Sequence, residues 1–239
     1  MMVDGRAIAE DILNGLGESL RGRALGIVAN AGDPATESYV RIKERVAARL
    51  GVEVKKGELA GLLAACDGVL VQLPHPQASE LLMQIPPEKD VDALGSAPKV
   101  AAPVAGAVRE ILLRSGVEAH GAKAVVVGGG ALVGRPVSRM LCGMGAEVSV
   151  VTLEQGSLSQ LKDADIVVSG AGSPHLIKPG MLKPGAVLID AGASESNGAL
   201  AGDADPACAE VASVFTPVPG GVGPVAVAML FKNLFTLIK

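Results

Sequence analysis

The run Val125-Val126-Val127-Gly128-Gly129-Gly130-Ala131-Leu132-Val133-Gly134-Arg135-Pro136 limits what this chain can become more than any other stretch. Three consecutive valines ending in glycine specify a strand buried on both faces, as in a parallel sheet covered by helices, running into a tight turn. Residues 132–144 carry apolar side chains at helical intervals, which predicts that the turn opens a helix. Gly128, Gly130 and Gly134 form G-x-G-x-x-x-G, one residue longer than the usual dinucleotide fingerprint. A pyrophosphate reaches the backbone N–H groups at a helix N-terminus only where no Cβ blocks its approach, so such a turn needs glycine. Taken alone, the same glycines also suit a tight turn that holds no ligand.

The order that follows favours the ligand. Strands are expected at 147–153, 164–171 and 186–192, with a short helix at 158–163, the succession of a nucleotide-binding domain. Glu154 falls 20 residues after Gly134, at the end of the second of these strands. A carboxylate there accepts hydrogen bonds from a ribose 2′-OH and repels a 2′-phosphate.

Composition narrows the class. A length of 239 residues allows one large or two small domains. Apolar residues make up 49% but aromatics only 2%, so the core is expected to be Ala, Val and Leu. Net charge is −4 with no long basic run, which argues against nucleic acid or an anionic membrane as partner. Cys66, Cys142 and Cys208 are widely spaced in apolar surroundings and read as reduced core cysteines, with no disulfide frame or metal site. The N-terminus has no basic region followed by an apolar run, and no uncharged apolar run reaches the roughly 18 residues of a spanning helix. The expectation is a soluble, cytoplasmic protein.

The first half reads as helix (5–20), strand (24–30), a turn cluster (30–34), helix (36–50) closed by Gly51, strand (52–59), short helix (60–65) and strand (66–74). Tyr39 and Lys43 lie four apart on one helix face, outside the apolar stripe of Val40, Val46, Ala47 and Leu50. By itself that spacing also describes a solvated lysine beside a half-buried tyrosine. Gln72 ends its strand, where ligands of open α/β sheets gather, and it orients a catalytic group or satisfies loop carbonyls. Asp90 and Asp92, in a turn after Pro86-Pro87, read on their own as turn or capping residues. A helix at 104–115 links the halves, and an apolar helix at 225–238 closes the chain. Before it, Thr216-Pro217-Val218-Pro219-Gly220-Gly221-Val222-Gly223-Pro224 is stiff and brings backbone close to a ligand or to packed chain. His75, His120 and His175 are isolated, and no Cys/His metal spacing, G-x-S-x-G elbow or Walker lysine is present.

Six ordered segments together resemble the methylenetetrahydrofolate dehydrogenase/cyclohydrolase family. They are Val3-Asp4-Gly5-Arg6-Ala7-Ile8-Ala9, Asp33-Pro34-Ala35-Thr36 leading to Tyr39-Val40-Arg41-Ile42-Lys43, Asp67–Pro74, Lys89-Asp90-Val91-Asp92, Val133-Gly134-Arg135-Pro136, and the Pro-Gly loop at 216–224. The resemblance implies two α/β domains with a cleft between them. An N-terminal folate domain would span 1–116, completed by the helix at 225–239, and a Rossmann-like dinucleotide-binding domain would span 117–224. It implies that Lys43 transfers protons in cyclohydrolase chemistry, that Gln72 holds it, that Tyr39 stacks on the folate and that Asp92 anchors the pterin. Pro219, Gly220, Gly223 and Pro224 would complete the folate site. Gly128, Gly129, Gly130, Val133, Gly134, Glu154 and Ala193 would hold NADP or NAD, with no metal. Tetrahydrofolate derivatives are the implied substrates, and a homodimer the implied assembly.

The departures from the family pattern cluster on the cofactor side. The usual Gly-Arg-Ser of the phosphate turn is Gly128-Gly129-Gly130, which removes a cation and a hydroxyl available to NADP. The usual His-Ser after the second nucleotide strand gives way to Thr152-Leu153-Glu154, and Gly-Ile-Asn to Gly192-Ala193-Ser194. Pro-Cys-Thr-Pro has become Ala101-Ala102-Pro103-Val104, Met-Thr has become Val225-Ala226, and the segment between Gly51 and Asp67 is shorter by about a helix and its loop. The altered phosphate turn and Glu154 favour NAD over NADP, or weaken cofactor binding. The implied activity is bifunctional: oxidation of the methylene form to the methenyl form, then hydrolysis to 10-formyltetrahydrofolate. The alternatives are a cyclohydrolase alone and a folate- or nucleotide-binding protein without catalysis.

Overall fold

Short β-branched runs separated by amphipathic helices pair only as parallel strands, and this chain builds two such sheets. The computed structural model describes residues 1–239 apart from Ala31, Asp33, Leu153, Gly156, Asn197 and Gly198, and apart from the side chains of Pro34, Ala35, Glu195, Ser196 and Ala199. The turn cluster expected at 30–34 and the end of the strand expected at 147–153 therefore lie partly outside the described residues.

The smaller sheet follows α1 (Gly5–Leu16). It consists of β1 (Ala24–Val28), β2 (Glu53–Lys56) and β3 (Gly68–Val71), in the order β2-β1-β3 and all parallel. β1 is central and buried along its whole length. The crossovers are α2 (Pro34–Arg49) and α3 (Leu59–Ala65). α2 ends on Gly51, whose φ of +68° lets the chain turn left-handed while the Val52 N–H returns to the Ala47 carbonyl at 2.9 Å. Val28, Leu59, Leu62, Cys66, Val69 and Val71 form one core of this part. α4 (Ala78–Gln84) has no buried residue and gave no apolar periodicity to read.

The larger sheet follows α5 (Pro103–Arg114). Its strands are β4 (Lys123–Val127), β5 (Glu147–Val151), β6 (Ile166–Ser169), β7 (Val187–Asp190) and β10 (Val214–Phe215), in the order β10-β7-β6-β4-β5 and all parallel. α6 (Gly134–Gly143) connects β4 to β5, and the antiparallel hairpin β8 (Ser194–Ser196) and β9 (Ala199–Ala201) follows β7. The chain ends in α7 (Val222–Leu237). Val125, Val127, Val151, Leu161, Val167, Leu188 and Cys208 pack the core of this sheet.

Several expectations shift. The helix after the phosphate turn begins at Gly134, not at residue 132, because Leu132 and Val133 are spent in the turn. Residues 158–163 form a 3-10 helix, and β2 stops at Lys56, short of 59, because Leu59 opens α3. Cys66 and Cys208 are buried, as read, but Cys142 is exposed. On α6 the buried face belongs to Val137 and Leu141, which turns Cys142 outward.

The chain divides into two compact units, one of residues 9–103 and 227–239 and the other of residues 1–8 and 104–226. The expected line at 116/117 thus falls at 103/104 in the structure, and the first eight residues join the nucleotide unit. Their place has a simple cause. Met2 pairs in parallel with Phe215, with the Val3 N–H donating to the Phe215 carbonyl at 2.9 Å, so the N-terminal segment adds to the edge beyond β10.

Gly5, just after that segment, has no room for a side chain. A Cβ there would run into the Gly221 carbonyl oxygen and come within 2.6 Å of the Gly220 carbonyl oxygen. Gly15, on the same helix, meets nothing within 4 Å. Gly5→Ala is therefore expected to lose about 1–3 kcal/mol, whereas Gly15→Ala should gain roughly 0.5–1 kcal/mol from helix propensity. Urea unfolding of the two variants checks this, and equal midpoints would contradict it.

Candidate active site and dinucleotide cradle

α2 carries Tyr39 and Lys43 because its apolar positions Val40, Ala47 and Leu50 turn into the core and leave the opposite edge half-open. Tyr39 is 39% exposed, and Lys43 is partly buried. Gln72 follows β3 directly and is buried. Its Nε2 donates to the Leu73 carbonyl at 2.9 Å, which turns Oε1 toward Lys43. Lys43 Nζ donates to that Oε1 at 2.6 Å. The lysine is thus held by a neutral amide and not by a paired carboxylate, a partner that does not itself fix the lysine's charge.

Asp92 stands close enough to interact electrostatically with this amine. Burial pulls the Lys43 amine below the ordinary lysine value, and the Asp92 charge partly restores it. Burial likewise pushes the Asp92 carboxyl up to about 6, with Lys43 opposing the rise and Asp90 adding to it. Both groups are therefore moved toward neutrality. The four residues Tyr39, Lys43, Gln72 and Asp92 belong to one compact unit.

The segment bearing Asp92 is pinned from several sides. Asp90 bridges in parallel to Val69 of β3, and its Oδ2 accepts the Gly95 N–H at 2.7 Å. Lys89 Nζ donates to the carbonyls of Leu63 (2.6 Å) and Cys66 (2.8 Å), closing the end of α3. Asn233 on α7, also buried, donates through Nδ2 to the Val91 carbonyl at 2.9 Å and the Ala101 carbonyl at 2.8 Å. Ala93 adopts φ +54°, a left-handed conformation costing about 1–2 kcal/mol for a residue with a Cβ. Reading the sequence left out these supports, apart from Asp90 as a turn or capping residue.

In the other unit, the phosphate turn has the close-packed geometry its glycines suggested. Gly128 sits at φ +104°, and a Cβ on it would be 2.6 Å from the Gly170 carbonyl oxygen. A Cβ on Gly134 would run into the Gly128 carbonyl oxygen, and one on Gly129 would come within 3.3 Å of Thr152 Cγ2. Gly130 meets nothing within 4 Å, and no side chain caps the N-terminus of α6. The Arg135 N–H donates to the Gly130 carbonyl at 3.0 Å and Pro136 has no N–H, so the backbone left without a side-chain cap is that of Gly130 and the Gly134 N–H. That cradle fits a dinucleotide pyrophosphate.

Glu154 is exposed beyond β5, and Ala193 is exposed beyond β7. Pro219 and Gly220 follow β10, whereas Gly223 and Pro224, expected in the loop, lie in the first turn of α7, which begins at Val222 and not at residue 225. Proline suits that position because its missing N–H has no helical partner to lose. No group of three or more His, Cys, Asp or Glu among the described residues has metal-binding geometry. No helix among them is long and apolar enough to cross a membrane.

Residues 102–239 match the family described as tetrahydrofolate dehydrogenase/cyclohydrolase, NAD(P)-binding domain. The bifunctional protein FolD of Halothermothrix orenii is 37% identical over 97% of this chain and 95% of its own length. The Trypanosoma brucei methylenetetrahydrofolate dehydrogenase-cyclohydrolase, solved with NADP and an inhibitor, superposes with a TM-score of 0.89 at 33% identity, covering 100% of this chain and 97% of that one. The bifunctional enzyme from Campylobacter jejuni reaches a TM-score of 0.92 at 28% identity, covering 100% and 98%.

The Asp92 carboxyl has a consequence for stability. Its value in the folded chain lies above the ordinary carboxylate value of 3.8, so between about pH 4 and 6 the folded state binds more protons than the unfolded one. The contribution is present below that window and is lost as pH rises through it. Asp92→Asn is accordingly expected to raise stability at pH 7 by roughly 1–3 kcal/mol and to change it little at pH 4. Thermal unfolding at the two pH values tests this, and an equal shift at both would contradict it.

Proposed function

Because the chain belongs to the tetrahydrofolate dehydrogenase/cyclohydrolase family, we propose that it oxidises 5,10-methylenetetrahydrofolate to the methenyl form and hydrolyses that product to 10-formyltetrahydrofolate. The observation that carries this reading is the Lys43 Nζ–Gln72 Oε1 hydrogen bond beside Asp92. The methenyl carbon is a cationic amidinium centre that water attacks. A lysine whose amine is lowered by burial exchanges protons nearer neutral pH than a free one. The neutral amine takes a proton from the attacking water, and a proton goes to N5 as the carbon–N5 bond breaks. Gln72 keeps the amine in place through both steps, since its oxygen accepts from the neutral and the charged form alike. Ionised Asp92 accepts the N–H donors of the pterin, and Tyr39 offers an exposed ring for stacking.

For the oxidation, a bound nicotinamide supplies the hydride acceptor. The chain contributes the pyrophosphate cradle at Gly128–Gly130 and the N-terminus of α6, and it places Glu154 beyond the neighbouring strand. NAD is the preferred cofactor in this reading. The turn carries no cation or hydroxyl for a 2′-phosphate, and Glu154 repels one.

The purified protein, given methylenetetrahydrofolate with NAD or NADP, should reduce nicotinamide and accumulate the formyl product. Lys43→Met should slow hydrolysis of added methenyltetrahydrofolate by about 10²–10⁴-fold. In the wild type that hydrolysis should rise with pH as the lysine loses its proton. Hydrolysis that depends on Lys43 without any nicotinamide reduction would leave a cyclohydrolase alone, and hydrolysis indifferent to Lys43 would remove the proposed mechanism.

Glu154→Gln tests the cofactor assignment. Removing one exposed negative charge near the 2′ position should improve kcat/KM for NADP by roughly threefold to tenfold and leave NAD within about twofold. A wild type that already prefers NADP would overturn the assignment.

A further inference from the structure

We propose that Asp203, which no catalytic or binding role described above includes, is a positioning residue that shapes the second wall of the dinucleotide cradle. This rests on the proposed dehydrogenase reading. Asp203 is fully buried, and its carboxylate is wrapped by the loop that leaves β6. Oδ2 accepts the Ser169 hydroxyl at 2.7 Å and the Ala171 N–H at 2.6 Å, and Oδ1 accepts the Ser173 N–H at 2.8 Å. Three donors from five consecutive residues converge on one charge, which gives that loop a single conformation.

The place of the loop gives the arrangement a purpose. β4 lies between β5 and β6, so the strand order reverses there, and ligands of open parallel sheets bind beyond the strand ends at such a point. The loop rests directly on the phosphate turn. A Cβ on Gly170 would be 2.5 Å from Val133 Cγ1, and the Gly170 carbonyl is the group that a Cβ on Gly128 would meet. Moving residues 170–173 therefore moves the surface against which the turn is packed.

Asp203 also touches the loop after β7. A Cβ on Gly192 would run into its carboxyl group. Its own backbone is fixed by a second buried carboxylate, because Asp190 Oδ1 accepts the N–H groups of Gly192 (2.9 Å) and Asp203 (3.2 Å) while Oδ2 accepts that of Ala204 (2.8 Å). Burying two neighbouring acids is costly. A packed apolar corner would hold a hairpin more cheaply, whereas a carboxylate dictates where three separate donors point.

Asp203→Asn keeps the side-chain shape but leaves one acceptor oxygen for three donors. The test compares this variant with the wild type in KM and kcat for the preferred nicotinamide cofactor, in calorimetric Kd for the same dinucleotide, in methenyltetrahydrofolate hydrolysis and in melting temperature. The expected result is a rise of about tenfold or more in cofactor KM and Kd, with a smaller change in kcat. Hydrolysis should be unchanged, since Lys43, Gln72 and Asp92 lie in the other unit. A lower melting temperature with unchanged Kd would make Asp203 a fold-stabilising residue only and overturn the inference. Should Asp203→Asn fail to fold, Ser169→Ala, which removes a single donor, decides instead: a Kd rise of about twofold to fivefold supports the inference, and an unchanged Kd overturns it. A wild type that neither binds nor reduces NAD or NADP would overturn the dehydrogenase reading and the inference with it. Normal wild-type turnover with an unaffected variant would remove the inference alone.

Discussion

Parallel pairing leaves the C-terminal ends of all strands at one edge of a sheet, and the chemistry of this protein depends on that constraint. Gln72 follows β3, the glycine turn follows β4, Glu154 follows β5, the loop carrying Gly170 follows β6, and Pro219 and Gly220 follow β10. None of these residues is near the others in sequence. Each reaches its place because the strand before it is short and aligned in parallel with its neighbours. The helices supply what the strand ends lack, namely Lys43 on α2 and the uncapped first turn of α6 at Gly134.

Electrostatics divides the labour between two kinds of buried polar group. Lys43 and Asp92 are both shifted toward neutrality by burial, the amine downward from the ordinary lysine value and the carboxyl upward to about 6. Their partners are chosen accordingly, an amide for the lysine and no strong donor for the acid. Asp203 is a different case, a buried side chain whose two oxygens accept three donors from residues 169–173 and so hold one loop in place. Asp190 lies between the two, raised to about 6 by burial although three backbone N–H groups pull it down. Burial raises the cost of charge at such sites, and hydrogen bonds to the charged form offset it in part.

Much of the site was legible because it depends on local residue types. Glycine at 128 and 134 follows from a left-handed turn and a helix packed on backbone, both readable from a valine run ending in glycine. Tyr39 and Lys43 share a helix face by spacing alone. The pairing of Lys43 with Gln72, 29 residues on, was suggested only by family resemblance, since no local pattern encodes an amide meeting an amine across two elements. Of the supports around Asp92, Asp90 was legible as a turn or capping residue, but Asn233 was not, for it lies 142 residues from the carbonyl of Val91 that it holds. α4 and the β8–β9 hairpin were missed because neither shows an apolar period, and β10 because two residues are too few to show one.

The sequence by itself therefore determined the class of fold, and it pointed to the glycine turn after β4 and to Tyr39, Lys43, Gln72 and Asp92, readings that rest on short-range pattern or on matched motifs. Tertiary structure decided where the units divide, which cysteine faces outward, how Lys43 and Asp92 are shifted, and why Asp190 and Asp203 are buried. The physical reason is common to all four. Burial, proximity and the direction of a donor are properties of segments brought together from distant parts of the chain, and a residue carries no mark of them until its neighbours arrive.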